Sequence, residues 1–314
     1  MLRVAIASCC KLWQDPKHHA WGRLAAEHPR PDWLLLLGDN VYLQKRHARA
    51  LTTGRTRPRA VLTPEYERLF AEPSFRSIVG NGRGGAGTRL LATWDDHDFG
   101  GDDVNGAEAP YLDYRDETRA LFLEYLAGAG GPRNRINCSV TPARGVRIIV
   151  TDGRFDRTAP QASHPTMFGA QQEAWVIDEL ARPEPLKIIV SGSCLGPGAK
   201  KRYQQGWDLY PAWLERFRTA ILRHHAAGRR HLMVSGDIHR NRIVDHARSV
   251  ARFPLLEVIS SGVCRRRKNW NPWSTPLQNY GLLDVRTASI DIQLKGNLPR
   301  DQRRVKVDRE SWRL

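Results

Sequence analysis

Several cysteine, tyrosine, histidine and aspartate side chains follow short apolar runs of the sequence, where strands of a sheet would end. They are Cys9, Asp39, Tyr42, Asp95, Asp96, His97, Asp152, Asp237 and His239. If these side chains meet at one place, their carboxylates repel one another unless cations lie between them. A pair of metal ions about 3.5–4 Å apart, bridged by one aspartate, would satisfy them and can clamp a phosphoryl group. The residue types therefore predict a binuclear metal centre.

Asp39 is the predicted bridge between the two metals. It follows the run Trp33–Leu37, whose consecutive leucines cannot alternate between core and solvent. Such a run is typical of a central strand that is buried on both faces, and we expect helices to cover both sides. Open α/β sheets bind ligands at the carboxyl ends of their strands, which is where Asp39 stands. Tyr42, three residues further on, can reach the same point.

Asp237 and His239 form a second predicted ligand pair. They lie two residues apart on a segment that we expect to be extended, so both side chains would point to the same side. A single aspartate at the end of a strand often caps a helix or forms a turn. The metal prediction therefore depends on the whole set rather than on any one residue.

The apolar runs predict the strands that position these side chains. The predicted strands are Val4–Ala7, Trp33–Leu37, Arg89–Thr93, Val146–Val150, Lys187–Val190, His231–Val234 and Leu255–Ile259. Helical periodicity lies between them at Tyr114–Leu126, Ala170–Leu180 and Trp213–His225. Tyr280–Val285 and Ser289–Leu294 predict a hairpin. This alternation predicts an α/β fold that forms one domain over residues 1–314.

Three segments are expected to be irregular. Gln44–Pro64 is rich in Arg, Thr and Pro and is expected to be a loop. Gly80–Gly87 precedes a strand and matches neither glycine-rich phosphate-binding pattern, so we interpret it as a flexible connection. The basic run Arg265–Lys268, followed by Asn269–Trp273, is interpreted as a solvated surface loop. Cations beside aromatic rings can also hold a polyanion or stack a base.

The composition limits the classes of protein that need to be considered. The 314 residues carry a formal net charge of +16, which favours anionic partners such as phosphates, nucleic acid or an acidic surface, unless it reflects a general use of Arg. The five cysteines are scattered without a CxxC pair, which argues against disulfides and a structural zinc site. No apolar run approaches the roughly 20 residues of a membrane span, and the N-terminus lacks the pattern of a signal peptide. We expect a cytoplasmic protein without a membrane partner.

Five ordered segments resemble the motifs of PhoD-like alkaline phosphatases, a branch of the calcineurin-type metallophosphoesterases. They are Ser8-Cys9, Gly38-Asp39-Asn40-Val41-Tyr42, Trp94-Asp95-Asp96-His97-Asp98, Asp152-Gly153-Arg154 and Ser235-Gly236-Asp237-Ile238-His239. Gly169–Trp175 and Asn279–Val285 are similar to further parts of the family, so the resemblance spans residues 4 to 294. It implies a four-layer α/β/β/α sandwich, with mixed sheets flanked by helices. The chain begins at the first strand of the catalytic core, so we expect a single catalytic domain without the family's separate N-terminal β domain.

The resemblance also implies the metals and their ligands. The family holds Fe(III) together with Ca(II), and the thiolate and phenolate of Cys9 and Tyr42 suit a ferric ion. Cys9 and Tyr42 match the family's iron ligands, together with Asp39 and Asp237. The pair Asp95-Asp96 offers an oxygen ligand to the second metal, with Asp96 favoured. Mn, Zn or Mg are the alternatives for either site.

The residues that follow the third motif leave one ligand of the second metal undetermined. Many members of the family have Asn residues there, one of which can ligate metal, whereas this chain has Phe99-Gly100-Gly101-Asp102-Asp103-Val104-Asn105. Asp102, Asp103 or Asn105 can take that place.

The expected activity is hydrolysis of phosphate monoesters, diesters or both, by attack of a metal-bound hydroxide. His97 would stand near the leaving group as a general acid, or orient the phosphate. Arg154 can hold a phosphate oxygen through its fork geometry, although an ordinary surface Arg would look the same in the sequence. The alternative is a basic nucleic-acid-binding protein, with nucleic acid or a nucleotide as partner, on a metallophosphoesterase fold that has lost catalysis. The sequence leaves the oligomeric state open.

Overall fold

The computed structural model describes residues 1–15, 17, 19–80, 87–127, 134–196, 206–248, 252–266 and 276–313. The strands of these ranges are β1 (Leu2–Ala7), β2 (Trp33–Leu37), β3 (Arg89–Thr93), β4 (Cys138–Ala143), β5 (Val146–Val150), β6 (Leu186–Val190), β7 (Arg230–Ser235), β8 (Asn241–Asp245), β9 (Leu256–Ser260), β10 (Tyr280–Val285), β11 (Ser289–Lys295) and β12 (Arg303–Asp308). The α-helices are α1 (His19–Ala25), α2 (Lys45–Thr52), α3 (Pro58–Ala71), α4 (Pro73–Val79), α5 (Asp96–Phe99), α6 (Arg115–Leu126), α7 (Gly169–Ala181) and α8 (Pro211–Ala226). Short 3₁₀ turns lie at Leu12–Gln14, Tyr111–Asp113, Trp207–Leu209 and Pro299–Asp301.

The described strands form two mixed sheets. The first has the order β12-β11-β10-β1-β2-β3, and the second has the order β4-β5-β6-β7-β9-β8. In the first sheet β1, β2 and β3 run parallel, while β10, β11 and β12 pair antiparallel to their neighbours. In the second sheet β5, β6, β7 and β9 run parallel, and β4 and β8 close the edges antiparallel. The parallel strands of both sheets, including the edge strand β3, are followed at their carboxyl ends by the polar side chains.

The leucine run of β2 is buried on both faces, but the two faces contact different layers. Leu34 and Leu36 pack against the core formed with the helices, whereas Leu35 and Leu37 belong to the core between the two sheets. The expectation of helices on both sides of this strand is therefore wrong. The second sheet covers one face of β2 with Val, Ile and Leu side chains. Burial against this sheet requires apolar residues in β2, as burial against a helix would.

Helices cover the outer face of each sheet. Side chains of α1, α3, α4 and α6, including Trp21, Leu62, Phe75 and Phe122, pack on the first sheet. The outer face of the second sheet carries α7 and α8. The layers are thus α/β/β/α, which confirms the predicted four-layer sandwich with two mixed sheets flanked by helices. None of the described helices has the length and apolar character that crossing a membrane requires.

Most predicted elements are observed within two residues of their expected bounds. This holds for the predicted strands, for the hairpin β10–β11 and for the helices α6, α7 and α8. The edge strands β4, β8 and β12 were not predicted, since their sequences lack a clear apolar alternation. Of the predicted connection Gly80–Gly87, residues 81–86 lie outside the described residues.

The prediction of a loop over Gln44–Pro64 is wrong, because α2 and the first half of α3 occupy most of this segment. Pro58 stands at the first position of α3, where a proline is pre-organised for a helix and loses no hydrogen bond. Pro64 lies inside the helix, and the buried side chains of Leu62, Tyr66 and Leu69 pack on the core around it. Tertiary packing therefore overrides the local cost of this proline.

Candidate metal centre

The carboxyl ends of strands from both sheets meet at one place. Cys9 and Asp39 follow β1 and β2 of the first sheet, and His239 follows β7 of the second. Gly236 allows the approach, because a Cβ atom at this position would lie 2.4 Å from the carbonyl oxygen of Leu37. Gly38 has a φ of +79°, and its Cβ would lie 2.7 Å from the Cβ of Asp95. Glycine is therefore needed at both positions to bring the strand ends together.

Asp39 is the buried centre of this junction. Its Oδ2 accepts hydrogen bonds from the Tyr42 hydroxyl at 2.6 Å and from the Cys9 thiol at 3.3 Å. Its Oδ1 accepts a bond of 3.3 Å from the backbone N–H of His97. The Tyr42 hydroxyl also lies 3.5 Å from Nε2 of His239. Four of the predicted site residues thus surround a single carboxylate.

Two groups of ligand atoms are close enough for each to hold one ion. The first group is Cys9, Asp39 and His239, and the second is Asp39, Asp96 and His97. Within each group the candidate ligand atoms lie within 4.8 Å of one another. Asp39 belongs to both groups, which is the arrangement that a bridging carboxylate requires.

The donor types of the two groups differ. The first offers a sulfur, a carboxylate oxygen and an imidazole nitrogen, with the Tyr42 phenol beside them, and such sets suit transition metals. The second contains two carboxylates and one imidazole. Carboxylate oxygens suit harder cations. The residues present therefore fit a pair of unlike metals.

The electrostatics of the junction favour cations. Burial and the neighbouring carboxylates of Asp96, Asp95 and Asp98 raise the pKa of Asp39 well above its usual range. Burial and the charge of Asp39 likewise raise the pKa values of the Cys9 thiol and the Tyr42 phenol. Burial without a compensating cation therefore disfavours the charged form of each of the three groups. Metal binding at such groups releases protons.

His97 lies against Tyr42 at the edge of the junction. The two ring centroids are 4.0 Å apart, and Nε2 of His97 lies 3.5 Å from a carboxylate oxygen of Asp102. Burial opposes protonation, but the carboxylates of Asp39 and Asp96 raise the pKa of His97 to about 9. The imidazole is therefore a proton donor at neutral pH in the metal-free protein. It is also near enough to Asp39 and Asp96 to act as a ligand.

Asp95 and Arg154 form a buried ion pair. The Arg154 side chain is 1% exposed, and its Nε and its terminal nitrogen lie 2.6 and 2.5 Å from Oδ1 of Asp95. Burial opposes the charge, but Asp95, Asp96 and Asp237 together raise the pKa of Arg154. Oδ2 of Asp95 is buried and has no hydrogen-bond partner among the described residues. A buried carboxylate oxygen without a donor is well placed to face a cation.

The two residues of the Asp95-Asp96 pair have different surroundings. Oδ1 of Asp96 accepts the backbone N–H of His97 at 2.9 Å, and Oδ2 accepts that of Asp103 at 2.6 Å. Asp96, unlike Asp95, belongs to a compact ligand group with Asp39. Arg154 uses its guanidinium to hold Asp95 and the carbonyl oxygen of Val104. Its predicted contact with a phosphate oxygen stays a prediction.

The remaining candidates lie around this core. Asp237 is half-buried and close enough to Arg154 to influence its pKa, but it belongs to neither compact ligand group of the described residues. Asp102 has an 86% exposed side chain beside His97. Asn105 is buried and accepts the N–H of Ala107. Asp152 accepts bonds from the indole N–H of Trp94 and from two backbone N–H groups.

The backbone of the junction is bent into the left-handed region at several ligand candidates. The φ angles of Cys9, Asp39, Asp237 and His239 are 60°, 54°, 70° and 51°. Such a conformation costs about 1–3 kcal/mol per residue when the residue is not glycine, and it clusters at functional sites. The expectation of an extended segment from Asp237 to His239 is therefore wrong. A turn places His239 instead, and its backbone N–H donates to Ser261 Oγ at 2.8 Å.

Asp98 belongs to the third motif, but the sequence assigns it no role. It is fully buried, and its carboxylate accepts the backbone N–H groups of Asn40 and Asp95 at 3.0 Å each. It therefore ties the loop after β2 to the start of α5 and fixes Asp39 relative to Asp96. The spacing of Asp95 and Asp98 at the start of a helix is the signal of a capping box that could have identified it.

Arg265 was expected in a solvated surface loop, but it is 8% exposed, so this expectation is wrong for Arg265. Its guanidinium lies 5.0 Å from the ring centroid of Tyr42 and 3.3 Å from Nδ1 of His239. Residues 267–273 of that basic and aromatic run lie outside the described residues. The fold thus places the Arg265 guanidinium against the ligand candidates Tyr42 and His239, and no local sequence pattern indicates these contacts.

Comparisons with known proteins agree with this architecture. A model of the PhoD-like phosphatase family matches residues 4–275. A solved structure of PhoD is similar over 98% of this chain and 70% of its own, with 15% identity and a TM-score of 0.68. GAP50, described as the anchor in the inner membrane complex of Plasmodium, is similar over 98% and 88%, with 10% identity and a TM-score of 0.54. At these identities the structural likeness concerns the fold. No curated protein matches the chain significantly.

Proposed function

Because the chain belongs to the PhoD-like phosphatase family and is a hydrolase of phosphate esters, we propose that it works with two metal ions held on either side of Asp39. The proposal is carried by the place of Asp39 in both compact ligand groups. One aspartate shared by two sets of donors is what a bridging ligand requires. The unpartnered Oδ2 of Asp95 adds a further oxygen that faces no donor among the described residues.

The first metal is proposed to be Fe(III), held by Cys9, Asp39, Tyr42 and the pair Asp237 and His239. A thiolate and a phenolate favour a ferric ion over a hard divalent cation. The second metal is proposed to be Ca(II), held by Asp39 and Asp96, with Asp95 at its edge. Mn, Zn or Mg are the alternatives at either position. Metal ions of this kind polarise phosphoryl oxygens and lower the pKa of water when bound.

The protein's own residues position the ester and move a proton. His97 stands beside Tyr42 with its Nε2 toward the exposed Asp102, and it donates a proton to the leaving-group oxygen. Arg154 holds Oδ1 of Asp95 through their buried ion pair, and this contact sets the direction of Oδ2 of Asp95. Ligand candidates come from both sheets, so we propose that the two sheets act as one catalytic unit.

The substrates are proposed to be phosphate monoesters, diesters or both. Nitrophenyl phosphate is a monoester and bis(nitrophenyl) phosphate is a diester, so the pair distinguishes these classes. Hydrolysis of either one releases a coloured phenolate. Purified protein, assayed with its metal content measured, should hydrolyse at least one of them. Chelation should abolish the activity, and iron with calcium should restore it. A protein that binds no metal and hydrolyses neither ester would overturn the proposal.

The alternative is a nucleic-acid-binding protein that keeps the fold without catalysis. A descendant of that kind has no need of a shared carboxylate or of buried thiol and phenol groups around it. Their retention here favours the enzyme.

A further inference from the structure

Trp13 is an exposed aromatic residue close to the candidate metal centre. It lies in the 3₁₀ turn Leu12–Gln14 that follows Cys9, and it is 39% exposed. Leu12, beside it in the same turn, is buried at 4%. The turn therefore places one apolar side chain in the core and presents the large indole to solvent.

The turn is fixed to the rest of the protein on both sides of Trp13. The side chain of Gln14 accepts the backbone N–H of Arg266 at 3.1 Å, and its carbonyl accepts Nε of Arg266 at 2.7 Å. The buried Asp15 accepts the side-chain amide of Gln278 at 3.3 Å. An aromatic side chain on an anchored turn loses little conformational entropy when a ligand stacks on it.

Lys11 connects Trp13 to the centre. Its Nζ lies 5.1 Å from the ring centroid of Trp13 and 5.5 Å from that of Tyr42. The two centroids are therefore no further apart than the sum of these distances. Arg265 lies 5.0 Å from the same Tyr42 ring. Tyr42 contacts the Asp39 carboxylate, and Lys11 lies near both Tyr42 and the exposed indole of Trp13.

We propose that Trp13 stacks the base of a nucleotide substrate whose phosphate lies in the Asp39 centre, with Lys11 against the charged part between them. This inference rests on the proposed function. Cations beside an exposed aromatic ring suit a ligand that is anionic at one end and flat at the other. Because Lys11 Nζ lies 5.1 Å from the Trp13 ring centroid and 5.5 Å from that of Tyr42, a ligand that stacks on Trp13 and places its phosphorus at the Asp39 centre needs a spacer between the two groups. The sugar of a nucleotide supplies that spacer, whereas phenyl phosphate has none.

The test compares three phosphate monoesters. Adenosine 5′-monophosphate and ribose 5-phosphate differ by the base, and phenyl phosphate has a ring without a spacer. Dissociation constants are measured by titration calorimetry, and kcat/KM is measured for the same esters. Base–aromatic stacking predicts that Trp13→Ala weakens binding of adenosine monophosphate about 5- to 150-fold. It should leave ribose 5-phosphate and phenyl phosphate unchanged, and Trp13→Phe should keep most of the affinity.

Leu222→Ala is the matched control, since Leu222 is an exposed apolar residue at 38% on α8, which covers the other sheet. Thermal unfolding of each variant checks that the fold is intact. Equal binding of adenosine monophosphate and ribose 5-phosphate by the wild type would overturn the stacking site. So would an equal loss of both in Trp13→Ala. If the protein hydrolyses the esters, kcat/KM gives the comparison. If it hydrolyses none of them, the dissociation constants still test Trp13, and the absence of hydrolysis counts against the proposed function alone.

Discussion

The hydroxyl of Tyr42 lies 2.6 Å from Oδ2 of Asp39, inside a junction where both side chains are buried. The Cys9 thiol donates to the same oxygen. A carboxylate that is shared by a phenol and a thiol, with other carboxylates close by, is held in place for a cation. The chemistry of this oxygen leads to the first prediction.

Tyr42→Phe should remove the visible absorption that a phenolate gives to bound Fe(III). The substitution deletes the oxygen next to Asp39 while the ring can keep its place beside His97. The visible spectrum of the iron-loaded protein measures this change. Tyr125→Phe is the control, since Tyr125 lies on the outer helix α6 and packs on Tyr66. An unchanged band in Tyr42→Phe would exclude the phenolate as an iron ligand.

Arg154→Met should lower the free energy of unfolding of the metal-free protein by about 3–5 kcal/mol, since it leaves the Asp95 carboxylate buried without its partner. The pair is 1% and 2% exposed. Urea unfolding measures the difference. Arg59→Met breaks a pair whose side chains are 53% and 49% exposed, and it should change stability by less than about 1 kcal/mol. Equal effects of the two substitutions would contradict a buried ion pair of Arg154 and Asp95 that stabilises the fold.

Gly236→Ala should damage the junction between the two sheets. Its Cβ would lie 2.4 Å from the Leu37 carbonyl oxygen and 2.6 Å from Ser8 Oγ, so the strand ends must separate. We expect a loss of bound metal together with destabilisation of about 1–3 kcal/mol. Gly22→Ala is the control, because the nearest atom to its Cβ would be Ser74 Oγ at 3.8 Å. Normal metal content in Gly236→Ala would contradict the close approach.

His231 should make the protein less stable in mild acid. It is fully buried, neither ring nitrogen has a hydrogen-bond partner among the described residues, and burial with the nearby cations of Lys187 and Arg229 lowers its pKa well below the usual value. Its pKa is thus lower in the folded than in the unfolded chain. Below about pH 6.5 His231 binds a proton in the unfolded chain but not in the folded chain. The free energy of unfolding therefore decreases as the pH is lowered in that range.

His231→Leu should remove this part of the pH dependence. The contribution amounts to about 1.4 kcal/mol per pH unit below about pH 6.5, which chemical unfolding at several pH values can resolve. His164→Leu, at an exposed position, is the control. Parallel stability curves for the wild type and His231→Leu would mean that His231 is protonated in the folded protein.

The sequence predicted the parallel strands of both sheets well and the antiparallel edge strands β4, β8 and β12 poorly. The runs of β1, β2 and β3 are apolar on both faces, so their patterns are unambiguous. The run of leucines in β2 could not indicate what covers each face, because a helix and a second sheet demand the same residues. The edge strand β12, with the sequence Arg-Arg-Val-Lys-Val-Asp, is mostly polar because one of its sides faces solvent.

The sequence predicted which residues form the candidate site better than it predicted how they are arranged. The strand-end positions of Cys9, Asp39 and His239 follow from the sequence, and the structure brings these three together. The turn at Asp237 and the contact of Arg265 with Tyr42 depend on chain segments far apart in sequence, so no local pattern contains them. The pairing of Arg154 with Asp95 is hidden for the same reason.

The metal content of Asp39→Ala tests the central claim most directly. If Asp39 bridges two ions, the wild type should hold two metal ions per chain and this variant should lose both, as measured by mass spectrometry of the metals in folded protein. Asp96→Asn should lose the second metal and keep the coloured one, because Asp96 belongs to one of the two ligand groups. Folding of each variant is checked by circular dichroism. A folded Asp39→Ala protein that retains either metal at the wild-type level would contradict the shared bridge.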